Sequence, residues 1–108
     1  MSPMEGFQFV ARIEDIPRGQ VKVVTLNQKT IAVFNVDGTF YAISNLCPHE
    51  GGPLSEGRVK GHVIACPWHD LAFDLRNGQG TDGGGYCVGS YEVRIEGGEV
   101  FVGGRRKC

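Results

Sequence analysis

Residues 47–69 read CPHEGGPLSEGRVKGHVIACPWH, and the rest of the chain is best read outward from them. The stretch opens on Cys47-Pro48-His49 and, after a gap of sixteen residues, closes on Cys66-Pro67-Trp68-His69. Each box sets a thiol and an imidazole on one tight turn, so each loop can grip a metal from its own side. Pro48 and Pro67 fix the backbone beside each cysteine and lower the entropy lost when four ligands are arranged. The chain has only four cysteines and three histidines, so two such boxes are improbable by chance. Cys47, His49, Cys66 and His69 are therefore the candidate metal ligands.

Around the boxes the sequence reads as strands separated by turns. Residues 7–13 and 20–26 are apolar and β-branched, with turn chemistry at Asp15-Ile16-Pro17-Arg18-Gly19 between them. Residues 30–36 and 39–44 flank Asp37-Gly38, a two-residue loop that favours a type I′ hairpin. Residues 62–65 lead into the second box and 71–75 lead out of it, which puts both boxes at strand ends. Residues 91–95 and 99–102 alternate apolar with polar around Gly97-Gly98, a final hairpin. No window carries a helical stripe with caps, and seventeen glycines supply the many tight turns of an all-β sandwich or barrel.

Length and charge restrict what the protein can be. A chain of 108 residues is expected to form a single domain over 1–108 with one modest core, too small for a separate catalytic domain. The net charge of -1 and pI near 6.3 offer no basic field for nucleic acid or an acidic membrane surface. No apolar run approaches a membrane span. Met1-Ser2-Pro3-Met4-Glu5 has neither the positive start nor the apolar core of a secretory signal, so the expected location is cytoplasmic. The absence of such a signal argues against reading the four cysteines as the two disulfides of a small secreted protein. Cys87 reads as a small buried apolar side chain, Cys108 as an oxidisable terminal thiol, and Arg105-Arg106-Lys107 as a solvated tail. Gly83-Gly84-Gly85 lacks the Lys and helix of a phosphate loop, and no nicotinamide or flavin fingerprint is present.

Cys-x-His, sixteen residues, then Cys-x-x-His resembles the Rieske proteins, whose two-iron, two-sulfur cluster is held by Cys on one iron and His on the other. Gly51-Gly52-Pro53-Leu54, Phe73-Asp74 and the Asn77-Gly78 turn agree as well, so the resemblance spans nearly the whole chain. It is closest in length and strand order to the small Rieske ferredoxins, and less so to the small subunit of nitrite reductase. The resemblance implies an antiparallel β sandwich with two cluster-binding loops and one 2Fe-2S cluster per chain. Cys47 and Cys66 would bind the inner iron, and His49 and His69 the outer, reducible one. The oxygenases of the family add a second iron site of two histidines and a carboxylate. Outside the boxes this chain keeps only His62 and cannot build one. An electron-transfer protein, not an enzyme, is the expectation, shuttling single electrons from a ferredoxin reductase to a terminal oxygenase or similar acceptor. A nitrite reductase subunit is the alternative within that chemistry.

Zinc is the rival occupant, since two sulfurs and two nitrogens also suit a tetrahedral structural site. The apolar content supports a core that needs no zinc to fold, and the backbone N-H groups of Gly51, Gly52 and Gly57 are expected to face bridging sulfides. Within the family, the high-potential branch carries a loop-bridging disulfide and two hydroxyls near the sulfurs. The matching positions here are Gly52 and Trp68 for the disulfide, Leu71 and Phe73 for the hydroxyls. Their absence implies a low potential. The third loop, often proline-rich in the family, reads Asp82 and three glycines. Glu50, Asp70 and Glu56 crowd the boxes, so partners are expected to present basic residues there.

Overall fold

The computed structural model describes residues 6–48, 51–68, 71–81 and 86–106. These form nine strands and two short 3-10 helices. The strands are β1 (Gln8–Arg12), β2 (Val21–Leu26), β3 (Lys29–Val36), β4 (Thr39–Ser44), β5 (Arg58–Lys60), β6 (Val63–Ala65), β7 (Ala72–Asp74), β8 (Ser90–Glu96) and β9 (Glu99–Arg106). A six-stranded sheet runs in the order β1-β9-β8-β4-β3-β2, a three-stranded sheet in the order β5-β6-β7. Every pairing between strands is antiparallel. The architecture is thus the all-β, antiparallel arrangement expected.

Period-two alternation decides where β3 goes. Ala32 and Phe34 point into one apolar cluster with Ile43, Leu54, Ile64, Phe73 and Leu75, between the large sheet and the small one. Ile31 and Val33 point the other way, into a cluster with Ala11, Ile16, Val100 and Val102. A strand buried on both faces reads as an unbroken apolar run, as Ile31-Ala32-Val33-Phe34 does. Since β1 and β9 share that second cluster with β3 and β4, from the other end of the sheet, the six strands must curl strongly. Both box cysteines belong to the first cluster.

The 37–38 hairpin forms as expected: Asp37 and Gly38 have φ of 54° and 96°, the two positive values of a type I′ turn. Buried Asn35 fastens it, donating from Nδ2 to Ile16 O at 2.7 Å and accepting from Gly38 N at 2.8 Å. The 15–19 segment is more than a turn. Ile16 is fully buried and plugs the second cluster, held after the 3-10 helix Ile13–Asp15 by that Asn35 bond. Arg105 and Arg106 also depart from expectation. They belong to β9, paired opposite Tyr91 and Ser90, and Arg106 Nη1 donates to Arg76 O at 3.0 Å. Strand pairing resumes past the last apolar residue after a register shift between Tyr91 and Val93, opposite Gly103 and Gly104. Lys107 and Cys108 lie outside the described residues. None of the helices described is long and apolar enough to cross a membrane.

Candidate metal centre

The first box hangs from the end of β4 on one polar side chain. Asn45 donates its N-H to Thr30 O at 3.0 Å, while its backbone O accepts from Leu54 N at 2.7 Å. Its side-chain Oδ1 accepts from Ser55 N at 2.7 Å. That arrangement pins both ends of the 45–55 loop. Within it Cys47 N donates to Gly52 O and Gly51 N to Cys47 O, both at 2.8 Å, closing a tight turn with Gly51 at φ 76°. No motif reading singled out Asn45. Its signal was an Asn directly before the Leu-Cys of the box, a short polar side chain able to satisfy loop N-H groups.

The second box joins β6 to β7. Cys66 N donates to Leu71 O at 2.7 Å, so this loop too is closed by backbone before any metal is considered. Gly57 N donates to Leu54 O at 3.0 Å. The expectation that Gly51 and Gly57 keep N-H groups for sulfide is therefore corrected: both hold their own loop. Gly57 lacks a side chain for another reason, since a Cβ there would overlap the Ala65 carbonyl.

The structure brings the two cysteines to one place. Cys47 is 2% exposed and Cys66 1%, both reduced thiols, in one apolar cluster with Phe73 and Leu75. Gly52 lies between the loops: its O takes the Cys47 N-H, and a Cβ built on it would stand 3.1 Å from Cys66 Sγ and 2.9 Å from Trp68 Cδ2. Trp68 itself is 58% exposed and Leu46 54%, so apolar surface borders both boxes. His49 and His69, the other two candidate ligands, lie outside the described residues. So do Glu50, Asp70, and the third-loop residues Asp82, Gly83, Gly84 and Gly85.

Two titratable features lie near the second box. Asp74, at the end of β7, takes Arg76 Nη2 on Oδ2 at 2.8 Å and the Arg76 N-H on Oδ1 at 2.8 Å. The side-chain bond from Arg76 foremost holds its carboxyl below the usual range, against the opposing effect of burial. His62 Nε2 lies 3.9 Å from the same carboxylate. Cys87 corrects another expectation. It is half-buried and disulfide-bonded, not a small apolar packing residue.

A family model for the Rieske 2Fe-2S domain matches residues 6–87. The ferredoxin component of the naphthalene 1,2-dioxygenase/salicylate 5-hydroxylase systems of a Ralstonia species is 42% identical over 98 residues, 85% of this chain and 89% of that protein. The naphthalene 1,2-dioxygenase ferredoxin component of Pseudomonas aeruginosa is 36% identical over 94 residues, 82% and 86% of the two chains. Among solved structures, one chain from a complex of reduced oxygenase and oxidized ferredoxin in carbazole 1,9a-dioxygenase superposes with a TM-score of 0.85 at 32% identity, covering 95% and 97%. A nitrite reductase small subunit from Mycobacterium tuberculosis superposes at 0.82 with 24% identity, covering 94% and 96%, which is a likeness of fold. The fold, the two cysteine-bearing loops and these relatives together define the class, a cluster-binding electron carrier. The chain belongs to the Rieske 2Fe-2S family. It carries one 2Fe-2S cluster and acts as a ferredoxin, not as an enzyme in its own right.

The described residues fit that group and do not favour zinc. A zinc knuckle is typically a core-poor chain that the metal folds. Here two apolar clusters between and beside two sheets give the chain a core of its own.

Proposed function

We propose that Cys47, His49, Cys66 and His69 hold the cluster, and that the protein relays single electrons from a ferredoxin reductase to a terminal oxygenase. The observation that carries the ligand assignment is the meeting of Cys47 and Cys66 across Gly52 in one buried cluster. The cluster supplies a one-electron couple when bound. The chain's own contribution is enclosure: Phe73, fully buried, and Leu71, packed against the same cluster, offer carbon where a hydroxyl could have reached a sulfur. Fewer hydrogen bonds to sulfur disfavour the more negative reduced state and keep the potential low.

Relatives that are ferredoxin components of oxygenase systems, matched over most of their length, support the oxygenase as acceptor. Likeness to nitrite reductase subunits is of fold alone and gives that alternative no comparable support. We place the carrier in the cytoplasm, together with oxygenase systems like those of which its relatives are ferredoxin components. The test is reconstitution. Naphthalene dioxygenase reductase and oxygenase, purified without their ferredoxin, should form product when this protein is added. His69→Ala should abolish that and lose the cluster's colour. Two irons and two labile sulfides are expected per chain, and a His69→Ala protein that keeps both with an unchanged spectrum would overturn the ligand assignment.

A further inference from the structure

A cleft of about 580 Å3 opens beside the first box, its wall formed in part by Leu46 and Pro48, the two neighbours of Cys47. Lys29 and Arg105 line it together with the Ser44 and Tyr91 side chains, and no carboxylate among the described residues does. Both cations are exposed, and neither forms an ion pair or side-chain hydrogen bond among the described residues. Arg105 reaches the cleft because position 89 is glycine: a Cβ there would stand 2.7 Å from Arg105 Nε. The guanidinium rests directly on that backbone. By contrast Arg12, Arg18 and Arg76 are each already paired with an acid.

We propose that this cleft receives a carboxylate-bearing surface segment of the redox partner. The inference rests on the electron-carrier reading and names the chemistry by which its partner is recognised. Two cations that have no acidic partner among the described residues, in a cleft where no described residue supplies a carboxylate, attract carboxylate. Exposed Leu46 on the same wall favours a protein over a free small anion, since a small anion gains nothing from apolar surface, whereas interfaces join apolar contact to a charged rim. A group seated there is one residue from Cys47. The acids Glu50 and Asp70 of the boxes call for basic residues on the partner, and this cleft for an acidic one. Opposite charges at two points fix the partner's rotation as well as its position, which a single charged patch cannot do.

The experiment uses the holoprotein and flavodoxin hydroquinone, an acidic one-electron donor, in stopped flow at low and high ionic strength. Lys29→Gln/Arg105→Gln should slow the second-order transfer at low salt by about tenfold and flatten its salt dependence. Lys22→Gln, on β2 and outside the cleft, should change it much less. Carbodiimide coupling of the two proteins should join flavodoxin carboxylates to Lys29 in the wild type. A rate indifferent to the double substitution, or coupling at other lysines with Lys29 untouched, overturns the proposal. So does saturable binding of free citrate at Lys29 and Arg105 with transfer rates unaffected, which would make the cleft a small-anion site. Dithionite titration separates the two levels. Uptake of one electron per chain with an indifferent double variant sinks only the cleft's role, whereas no uptake sinks the carrier reading itself.

Discussion

Trp68 lies against Gly52, so closely that a Cβ added at position 52 would stand 2.9 Å from Cδ2 of the indole. The positions matched to the bridging cysteines of the high-potential branch therefore do face each other, and an aromatic contact takes the place of a covalent one. Trp68→Ala should uncover Cys66 and admit water, which favours the more negative reduced state. The midpoint potential should rise, and chelator should strip iron several times faster. Gly52→Ala should disturb the same contact from below, because its methyl meets both the indole and Cys66 Sγ. Visible circular dichroism of the two variants checks whether the cluster environment shifts.

The wild-type potential should lie low in the Rieske range, on the order of -150 mV. Phe73 is fully buried beside the cysteines, so Phe73→Tyr places a hydroxyl where the core offers few other partners. Reaching a sulfur, it should raise the potential by roughly 50–100 mV, equivalent to a hydrogen bond of about 1–2 kcal/mol for one electron. Protein-film voltammetry measures this. A wild-type midpoint above about +100 mV would show that other donors reach the sulfurs.

Asn45→Ala should weaken the first loop more than its size implies. The Ser55 N-H loses its 2.7 Å acceptor while remaining half-buried, at a cost of about 1–3 kcal/mol. Asn45→Asp retains the acceptor oxygen and should restore much of the loss. Thermal melts of the holoproteins, together with iron retained after gel filtration, give the comparison.

Asp74 sets a pH dependence whose direction follows from Arg76. The Arg76 hydrogen bond lowers the carboxyl's folded pKa below its unfolded value of about 3.9. Its contribution to stability is then complete above the unfolded pKa and is lost as pH falls through the folded one. Arg76→Gln should be less stable than wild type at neutral pH, with the gap closing in acid. Urea unfolding across pH 3 to 7 would show a constant gap instead if the pair contributed only by packing.

Much of this was legible in the chain because the strongest signals are local. Asp37-Gly38 dictates its hairpin by backbone chemistry alone, and Ile31-Ala32-Val33-Phe34 announces a strand buried on both sides. The two boxes announced the site through spacing. β5 escaped notice because Arg58-Val59-Lys60 is an exposed edge strand, and only pairing with β6 makes it one. Ile16 escaped because a lone apolar residue in turn-rich sequence looks the same whether it faces solvent or plugs a core. The Gly51 and Gly57 N-H groups were misassigned for a related reason. Whether a donor is available depends on where a loop closes, and loop closure is a property of the fold.

β4 and β8 pair directly, Ala42 with Tyr91 and Ile43 with Ser90, although more than forty residues separate them in the chain. Everything between, both boxes and the small sheet included, is a detour that leaves the large sheet and rejoins it at adjacent strands. Such a hinge-based lobe can open without unzipping the sheet beneath it, so amides of β5, β6 and β7 should exchange before those of β3 and β9. The paired strands β4 and β8 thus make the large sheet a standing socket on which the lobe is seated.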